Sequence, residues 1–308
     1  MDAKNNFKKS TYKYFYAFFL ICFLFGYGYS QENNHSLPQL DISKIALVNQ
    51  TDSYVTFPTD IGNIAPLMFE ANISPSFIIR QRKDSRLMAA LTAQVIIRMY
   101  NEESFPVRTP SYIPQVSFYY LMGNKQSKIH NTLFGRVAHH SNGQDGNFYD
   151  ENGLINLQSG NFATNFFEIG IIRTSHSSTL NAIKFFKSSI EIHPKSWMLE
   201  ELQGQYSGLR WHNSFTAFKL PFISSDKDES PNFSLKVETS IMLDNYNNLN
   251  TIDLERLNAS LTFYYHPKFL EDIGLFVQFY HGMDYYNIYF NQQVDLIRFG
   301  IMTEILRF

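Results

Sequence analysis

The sequence predicts an all-β protein, a transmembrane antiparallel β-barrel of about 12 strands. The first observation is hydrophobicity that repeats every second residue, which is typical of strands with one apolar face. The second is composition: the 308 residues include 29 Phe and 19 Tyr, and only 18% are charged, below the roughly 25% usual for soluble domains. The third is a leader-like segment at the start of the chain.

Residues 1–30 have the layout of a secretory signal peptide. Four lysines within the first 13 residues precede an almost wholly apolar run from Tyr14 to Tyr27, and small residues stand before Gln31. We therefore expect residues 1–30 to be removed, with an uncleaved membrane anchor as the alternative. Residues 31–43 are expected to form a short polar lead-in, and residues 44–308 the barrel.

Without its leader the chain lacks cysteine and is mildly acidic. Cys22 is the only cysteine, so no disulfide or thiol chemistry would remain. The leader carries four lysines and one aspartate, a net of +3, so its removal takes the formal charge from −2 to −5. A chain of this charge without basic clusters is not expected to bind nucleic acid.

Alternation is clear from Phe233 to Leu243, where the odd positions are mainly apolar and most even positions are polar. About a dozen segments of this kind, each of about 9–15 residues, are long enough to cross a bilayer when tilted. We expect strands near residues 44–58, 66–80, 88–101, 111–122, 129–142, 163–175, 180–193, 208–222, 232–244, 256–266, 272–282 and 294–308. Turn-rich stretches separate them.

Two architectures use this pattern. A water-soluble sandwich buries its apolar face, whereas a membrane barrel turns that face to lipid. The leader, the strand length, the even number of strands and the aromatic residues at strand ends favour the barrel. The chain also ends on Phe308 within an apolar segment, a common ending of barrels in the Gram-negative outer membrane, where we expect this protein as a multi-pass β-barrel.

Residues 135–143 encode a candidate catalytic site. His139 and Ser141 share the apolar, outward phase of their strand with Val137, whereas Arg136 and His140 share the lumenal phase. A spacing of two brings an imidazole and a hydroxyl onto one face, about 6.5 Å apart between their Cα atoms. A serine becomes a nucleophile when a base within hydrogen-bond reach takes its proton.

The third candidate is Asn165, which shares the apolar phase of the next strand with Phe167 and Ile169. A carboxamide there can accept a hydrogen bond from the histidine and hold its tautomer. A His-x-Ser pair alone is common on strands, so the argument depends on the in-phase Asn165. A metal site at His139-His140 is disfavoured, because adjacent strand residues face opposite sides.

These residues resemble outer membrane phospholipase A, a family of twelve-stranded barrels with a lipid-facing Ser-His-Asn site. The motifs that match are His139–Gly143 and Phe162–Asn165. Two further stretches are similar to the family. Residues 101–108 lie in the loop before residues 112–115, and residues 278–282 continue through residues 289–292 towards the end of the chain. The resemblance therefore extends from about residue 66 to residue 308.

The resemblance implies a calcium-dependent carboxylic ester hydrolase that acts on phospholipids, a phospholipase A1/A2 and lysophospholipase, active as a homodimer. It implies that Ser141 is the nucleophile, His139 the base and Asn165 its orienter. The N–H of Gly143 would help to form the oxyanion hole. Calcium would take oxygens from the loop after Ser-Asn-Gly and a serine of the partner subunit.

The calcium ligands follow the family pattern less closely. Gln144 stands where the family has an arginine, Asn161 stands where it has a serine, and the intervening loop is longer. The expected ligands are Gln144 and Asn161, together with Ser104 of the partner subunit. Asp145 and Asp150 are further oxygen donors, although their spacing does not fit an EF-hand loop. A solvated acidic loop without metal is the alternative.

Two other functions remain open at this point. Lipid A deacylases are small barrels that also carry a His-x-Ser-Asn motif, but they are much shorter and their orienting residue is an acid. A porin or structural barrel would keep the scaffold without catalysis. In each case the protein would lie in outer-membrane lipid, and for the phospholipase this lipid is also the substrate.

Overall fold

The alternating segments form the strands of a β-barrel in the computed structural model. It describes residues 42–303, except residues 59, 83, 125–126, 128, 178–181, 222–231, 251, 268 and 271–272. The expected signal peptide, the lead-in up to residue 41 and the terminal Phe308 lie outside the described residues. Within them, no helix has the length and apolar character needed to cross a membrane.

The described residues form one α-helix, fourteen strands and four short 3₁₀ turns. The helix α1 is Ile42–Asn49, and the 3₁₀ turns are Lys195–Trp197, Glu200–Leu202, Leu254–Arg256 and Asn287–Tyr289. The strands are β1 Tyr54–Thr56, β2 Ile61–Gly62, β3 Leu67–Ile73, β4 Ser76–Ile79, β5 Leu87–Tyr100, β6 Val107–Met122, β7 Ile129–Ser141, β8 Ala163–Ser177, β9 Ala182–Ile192, β10 Leu209–Pro221, β11 Asn232–Met242, β12 Leu257–His266, β13 Ile273–Met283 and β14 Gln293–Thr303.

The strands close into a twelve-stranded antiparallel barrel, as predicted. Each strand from β5 to β13 pairs with the next along the chain, and β1 pairs with both β3 and β14. The short strands β1 and β2 both pair with β14 and make one interrupted strand. In the same way β3 and β4 both pair with β5. Among the described strands, closure leaves no long open edge for other chains to pair with.

The outer wall of the barrel is apolar and the lumen is polar. Outward-facing Leu91, Phe118, Val137, Ile169 and Phe279 are exposed. The lumenal face carries buried polar and charged side chains instead. An apolar band that follows strand after strand is larger than the patches that soluble monomers expose, and it is the surface a lipid-facing barrel needs.

Packed side chains lie near both ends of the lumen. At the end where the turns are short, Ile42 and Ile45 of α1 pack with Tyr119 and Phe134. At the other end, aromatic residues of the long loops pack with strand residues in a second cluster that includes Phe148, Phe162, Leu202, Tyr286 and Phe290. Between the clusters lies a polar cavity.

A buried ion network strengthens the seam between the first and last strands, where β1 is only three residues long. The carboxylate of Glu70 on β3 accepts hydrogen bonds from Arg98 on β5 at 2.7 Å and from Arg298 on β14 at 2.6 Å. The hydroxyls of Tyr54 and Tyr285 donate to the same carboxylate at 2.6 and 2.5 Å. The network therefore joins β3, β5 and β14 through the lumen.

The predicted strand at residues 44–58 is wrong in its first half. The chain forms α1 there and becomes a strand only at Tyr54–Thr56. Ile42, Ile45 and Ala46, which are buried, are spaced as i, i+3 and i+4, the pattern of one helical face. The apolar residues of this segment thus face the lumen from a helix, not lipid from a strand.

Candidate active site

Strands β7 and β8 carry the three predicted catalytic side chains. In their antiparallel register, His139 stands opposite Asn165 and Ser141 stands opposite Ala163. Directly opposed residues project from the same face, with Cβ atoms about 4.5–5.5 Å apart. This face is the outer wall, because Val137, two residues before His139, is exposed. His139, Ser141 and Asn165 are themselves half-buried on that wall.

His139 and Asn165 are in direct contact. The Nδ1 atom of His139 lies 2.8 Å from Oδ1 of Asn165, and Nδ2 of Asn165 donates to the main-chain carbonyl of Trp197 at 3.0 Å. A carbonyl only accepts hydrogen bonds, so the amide nitrogen must face Trp197 and the amide oxygen must face His139.

This pair of contacts assigns the tautomer of the histidine. The amide oxygen of Asn165 only accepts, so Nδ1 of His139 carries the proton and Nε2 carries the free lone pair. A base needs such a lone pair to take a proton from a hydroxyl. The ring of His139 is thus held in the form that a general base requires.

Ser141 is the last residue of β7 and lies on the same wall, two residues after His139. Its neighbours in the sheet are Ala163 on β8 and Tyr112 on β6. Two residues along a strand span about 6.5 Å, a distance that a histidine side chain can bridge towards a serine hydroxyl. The strand end gives Ser141 a position at the border of wall and loop.

The chain turns sharply directly after Ser141. Asn142 is completely buried, and its side chain donates to the carbonyl of Gly160 at 2.8 Å and accepts from the amide of Phe162 at 3.0 Å. Gly143 has φ +67°, and a Cβ there would lie 3.3 Å from the ring of Tyr112. The turn therefore favours glycine for its backbone angle, and a side chain would also have to displace the Tyr112 ring slightly. It leaves the Gly143 amide two residues from the Ser141 hydroxyl.

The ladder between β6 and β7 is interrupted beside the site. Tyr112 pairs with Ser141 and Gln115 pairs with Ala138, but the two positions between them form no pair. One of these is Pro114, which has no N–H to donate. The main chain at His139 is therefore supported mainly from the β8 side, where its partner is Asn165.

The lumenal side of the same strands carries a separate polar group. His193 lies 2.9 Å from the Thr164 hydroxyl through Nδ1 and 2.9 Å from Glu191 through Nε2. Burial lowers the pKa of His193, which favours a neutral ring that donates to Glu191 and accepts from Thr164. Thr164 has no exposed surface. This group therefore supports the strands from inside and does not face the outer wall.

His140 turns away from His139, as the alternation requires. Its ring is buried against Phe162, with ring centroids 4.9 Å apart. Among the described residues no group of three or more His, Cys, Asp or Glu side chains is placed to hold a metal ion. The two adjacent histidines thus lie on opposite faces of β7.

The predicted calcium ligands lie on two loops. The Oδ1 atom of Asn142 accepts from the amides of Gln144 at 3.3 Å and Phe162 at 3.0 Å, so Gln144 and Asn161 are on neighbouring stretches of one loop. Both are half-buried, and a main-chain carbonyl and an amide oxygen are donors that calcium accepts. The residues fit a calcium site of low charge that needs further ligands.

The remaining oxygen donors have other positions. Ser104 is exposed, with φ 66°, in the turn between β5 and β6, on a different loop from Gln144. Asp150 accepts from the amides of Asn152 and Leu154 at 2.9 Å each and so organises a turn. Asp145 is exposed. Ser104 is thus on another turn of the chain than Gln144 and Asn161, and Asp150 belongs to a turn between them in sequence.

Trp197 is the residue that sequence reasoning missed. It contributes a main-chain carbonyl, which has no signature in the sequence. A signal does exist nearby, since Pro194 begins a tight turn in which the Trp197 amide donates to the Pro194 carbonyl at 2.8 Å. A proline-initiated turn in the sequence does not by itself indicate which strand the turn contacts.

The closed, twelve-stranded antiparallel barrel with an apolar outer wall places this protein in the class of transmembrane β-barrels. Solved structures share the fold. Outer membrane phospholipase A from Escherichia coli is 12% identical, with a TM-score of 0.52 over 90% of this chain and 96% of that chain. An active-site mutant of that enzyme gives the same identity and TM-score, with 90% and 95% covered.

The outer membrane phospholipase of Salmonella typhi, solved as a dimer with bound calcium, is also similar. It is 11% identical, with a TM-score of 0.52 over 90% of this chain and 96% of that chain. No protein-family model matches the sequence, and no curated protein sequence matches it. The resemblance seen in the motifs is thus confirmed as a likeness of fold to outer membrane phospholipase A.

Proposed function

We propose that this protein is a calcium-dependent phospholipase A of the outer membrane, which hydrolyses acyl esters of phospholipids on its lipid-facing wall. The observation that carries the proposal is the contact of His139 with Asn165 on the outer wall beside Ser141. Polar side chains on a lipid-facing surface are costly and usually functional. The fold shared with two outer membrane phospholipases supports it.

In the proposed reaction, Ser141 attacks the ester carbonyl carbon while its proton passes to Nε2 of His139. Asn165 holds the Nδ1–H of His139 and stabilises the imidazolium that forms. The C–O bond to the glycerol oxygen then breaks, and that oxygen leaves with the proton from His139. A water molecule, activated by the same base, releases the fatty acid from Ser141.

The oxyanion is proposed to lie against the amide of Gly143. Within the described residues this amide donates to no protein acceptor, and its position directly after the Ser141–Asn142 turn suits an ester held by the nucleophile. A donor placed for the transition state is worth about 3–4 kcal/mol in such sites. Asn142 keeps the turn rigid through its bonds to Gly160 and Phe162.

Calcium would be held by the main-chain oxygen of Gln144 and the side chain of Asn161, with Ser104 of the partner subunit. When bound, the ion supplies positive charge that polarises an ester carbonyl. The chain's own contribution is to fix the loop through Asn142 and to present neutral oxygens. Because two ligands of low charge bind calcium weakly, we propose a homodimer in which the partner completes the site.

The outer wall suits an acyl substrate. Val137 and Ile169 are exposed on the same face as the site, and an acyl chain that lies along them stays in an apolar surrounding. The lumen, by contrast, has packed side chains near both ends, in the α1 cluster and the loop cluster. This packing argues against the porin alternative, which needs an open path.

The experiment is an assay of fatty-acid release by the purified chain in detergent, with and without a calcium chelator. Phospholipid, lysophospholipid and lipid A are tested in parallel. We expect calcium-dependent release from the first two, abolished in Ser141→Ala. The matched control is Ser175→Ala, a serine on the outer face of β8 opposite Ile129, which should stay active. Unchanged activity of Ser141→Ala would contradict the proposal, and release from lipid A alone would favour the deacylase.

A further inference from the structure

We infer that the loop between β9 and β10 is a positioning element of the site, whose Trp197 carbonyl selects an amide over a carboxylate at position 165. The inference rests on the proposed hydrolysis, since it concerns how one residue of that reaction is held. It assigns Trp197 a positioning role through its main chain, not its side chain.

The loop takes the place of a strand beside Asn165. Pairing of β8 with β9 stops at Phe167, which stands opposite Ile192. Beyond that point the loop supplies the partners: Met198 forms a β-bridge with Thr164, and the amide of Leu199 donates to the carbonyl of Ala163 at 3.1 Å. The loop is thus attached to β8 at the two residues directly before Asn165, next to the position where Trp197 meets it.

The Trp197 carbonyl is fixed by its own turn. The amide of Trp197 donates to Pro194 at 2.8 Å, and the residues from 195 to 197 form a 3₁₀ turn that ends at Met198 in an extended conformation. The carbonyl therefore points at Nδ2 of Asn165 without depending on the Trp197 indole, which is 45% exposed.

Electrostatics then decides which side chain fits at position 165. A carbonyl oxygen has no proton to donate. An acid would place a charged oxygen where the amide nitrogen now lies, 3.0 Å from the Trp197 oxygen. Two acceptors at that distance repel, and more strongly at a half-buried site than in water. The carboxylate would rotate away and lose its alignment with His139.

Two proline substitutions separate this contact from general loop stability. Leu199 has φ −56°, which suits a proline, and Met198 before it is extended, with φ −126° and ψ 160°. Leu199 is itself extended, with ψ 144°, as the residue before a proline at position 200 must be. Leu199→Pro removes the amide that binds Ala163. Glu200→Pro is the matched control, because the first position of a 3₁₀ turn tolerates proline, and Leu199→Ala controls for the side chain.

The readout is kcat and KM for phospholipid hydrolysis, with folding checked by heat-dependent gel mobility. We expect Leu199→Pro to lower kcat roughly 3- to 10-fold at unchanged KM, and both controls to stay near wild type. Asn165→Asp should lose about 100-fold in the normal loop. When Asn165→Asp is combined with Leu199→Pro, the decrease in kcat caused by Asn165→Asp should be smaller by about fivefold or more, because the opposing Trp197 carbonyl is then released.

An equal loss from Asn165→Asp in both loops would overturn the inference, and so would equal effects of Leu199→Pro and Glu200→Pro. If Leu199→Pro does not fold, hydrogen exchange of the Asn165 carboxamide in the wild type gives the answer. Its protons, identified by their loss in Asn165→Asp, should exchange slowly, and exchange at the rate of a free amide would overturn the inference. Full activity of Ser141→Ala would instead refute the hydrolysis itself.

Discussion

Substitution of Glu70 by Gln tests the network that holds the barrel seam. The change keeps the shape of the side chain and removes its charge. All four neighbours of the carboxylate are donors, namely Arg98, Arg298 and the hydroxyls of Tyr54 and Tyr285. In either orientation the new amide nitrogen would therefore face a donor at hydrogen-bond distance.

The magnitude follows from burial. Glu70 and Arg298 are 0% exposed, and removal of one partner from a buried ion pair costs about 3–5 kcal/mol. Both arginines keep a second carboxylate: Asp284 binds Arg98 at 2.6 and 2.9 Å, and Asp60 binds Arg298 at 3.1 Å. We therefore expect the lower end of the range, about 3 kcal/mol.

The assay is denaturant-induced unfolding of the purified barrel in detergent, followed by intrinsic fluorescence. Glu102→Gln is the matched control, because Glu102 pairs with Arg108 while both side chains are partly exposed, at 45% and 31%. Such a pair contributes about 0–1 kcal/mol. If Glu70→Gln were destabilised by no more than Glu102→Gln, the seam would not depend on the buried network.

Three further predictions concern the site and the lumen. Asn165→Ala should lower kcat about 5- to 30-fold at unchanged KM, because the bond to His139 gains about 1–2 kcal/mol when the imidazole becomes charged; a change in KM alone would contradict this. Asn161→Ala should raise the calcium concentration for half-maximal activity about tenfold, while Asn152→Ala, a neighbouring loop residue, should leave it unchanged. In planar bilayers the protein should show no steady conductance, and Ile45→Asp, which places a charge in the α1 cluster, should produce leak currents; open channels in the wild type would contradict closure of the lumen.

The proposed site differs from a serine protease site in its orienting residue. A carboxamide brings no negative charge, so in the proposed reaction Asn165 stabilises the imidazolium of His139 less than a carboxylate would. The amide has another advantage here, since it can accept from His139 and donate to Trp197 at once. A neutral side chain with both of its polar groups hydrogen-bonded, as in Asn165, is also less costly on an apolar wall than a carboxylate.

Strand positions were largely predictable, because a period of two follows directly from the geometry of a strand. The predicted segment at 129–142 corresponds to β7 at Ile129–Ser141, and the segment at 163–175 corresponds to β8 at Ala163–Ser177. Strand β6 begins at Val107, four residues before the start that the sequence predicts. The two differ because Pro110 falls within the strand and proline weakens the strand pattern.

The sequence by itself determined the strand rhythm and the phase of His139, Ser141 and Asn165, because side-chain direction along a strand depends only on parity. Tertiary structure alone decided that α1 packs at one end of the lumen, that Glu70 reaches Arg98 and Arg298, and that the Trp197 carbonyl meets Asn165. Each of these depends on contacts between segments distant in sequence. The main-chain carbonyl is the same in every residue, so residue type does not indicate which carbonyl makes such a contact.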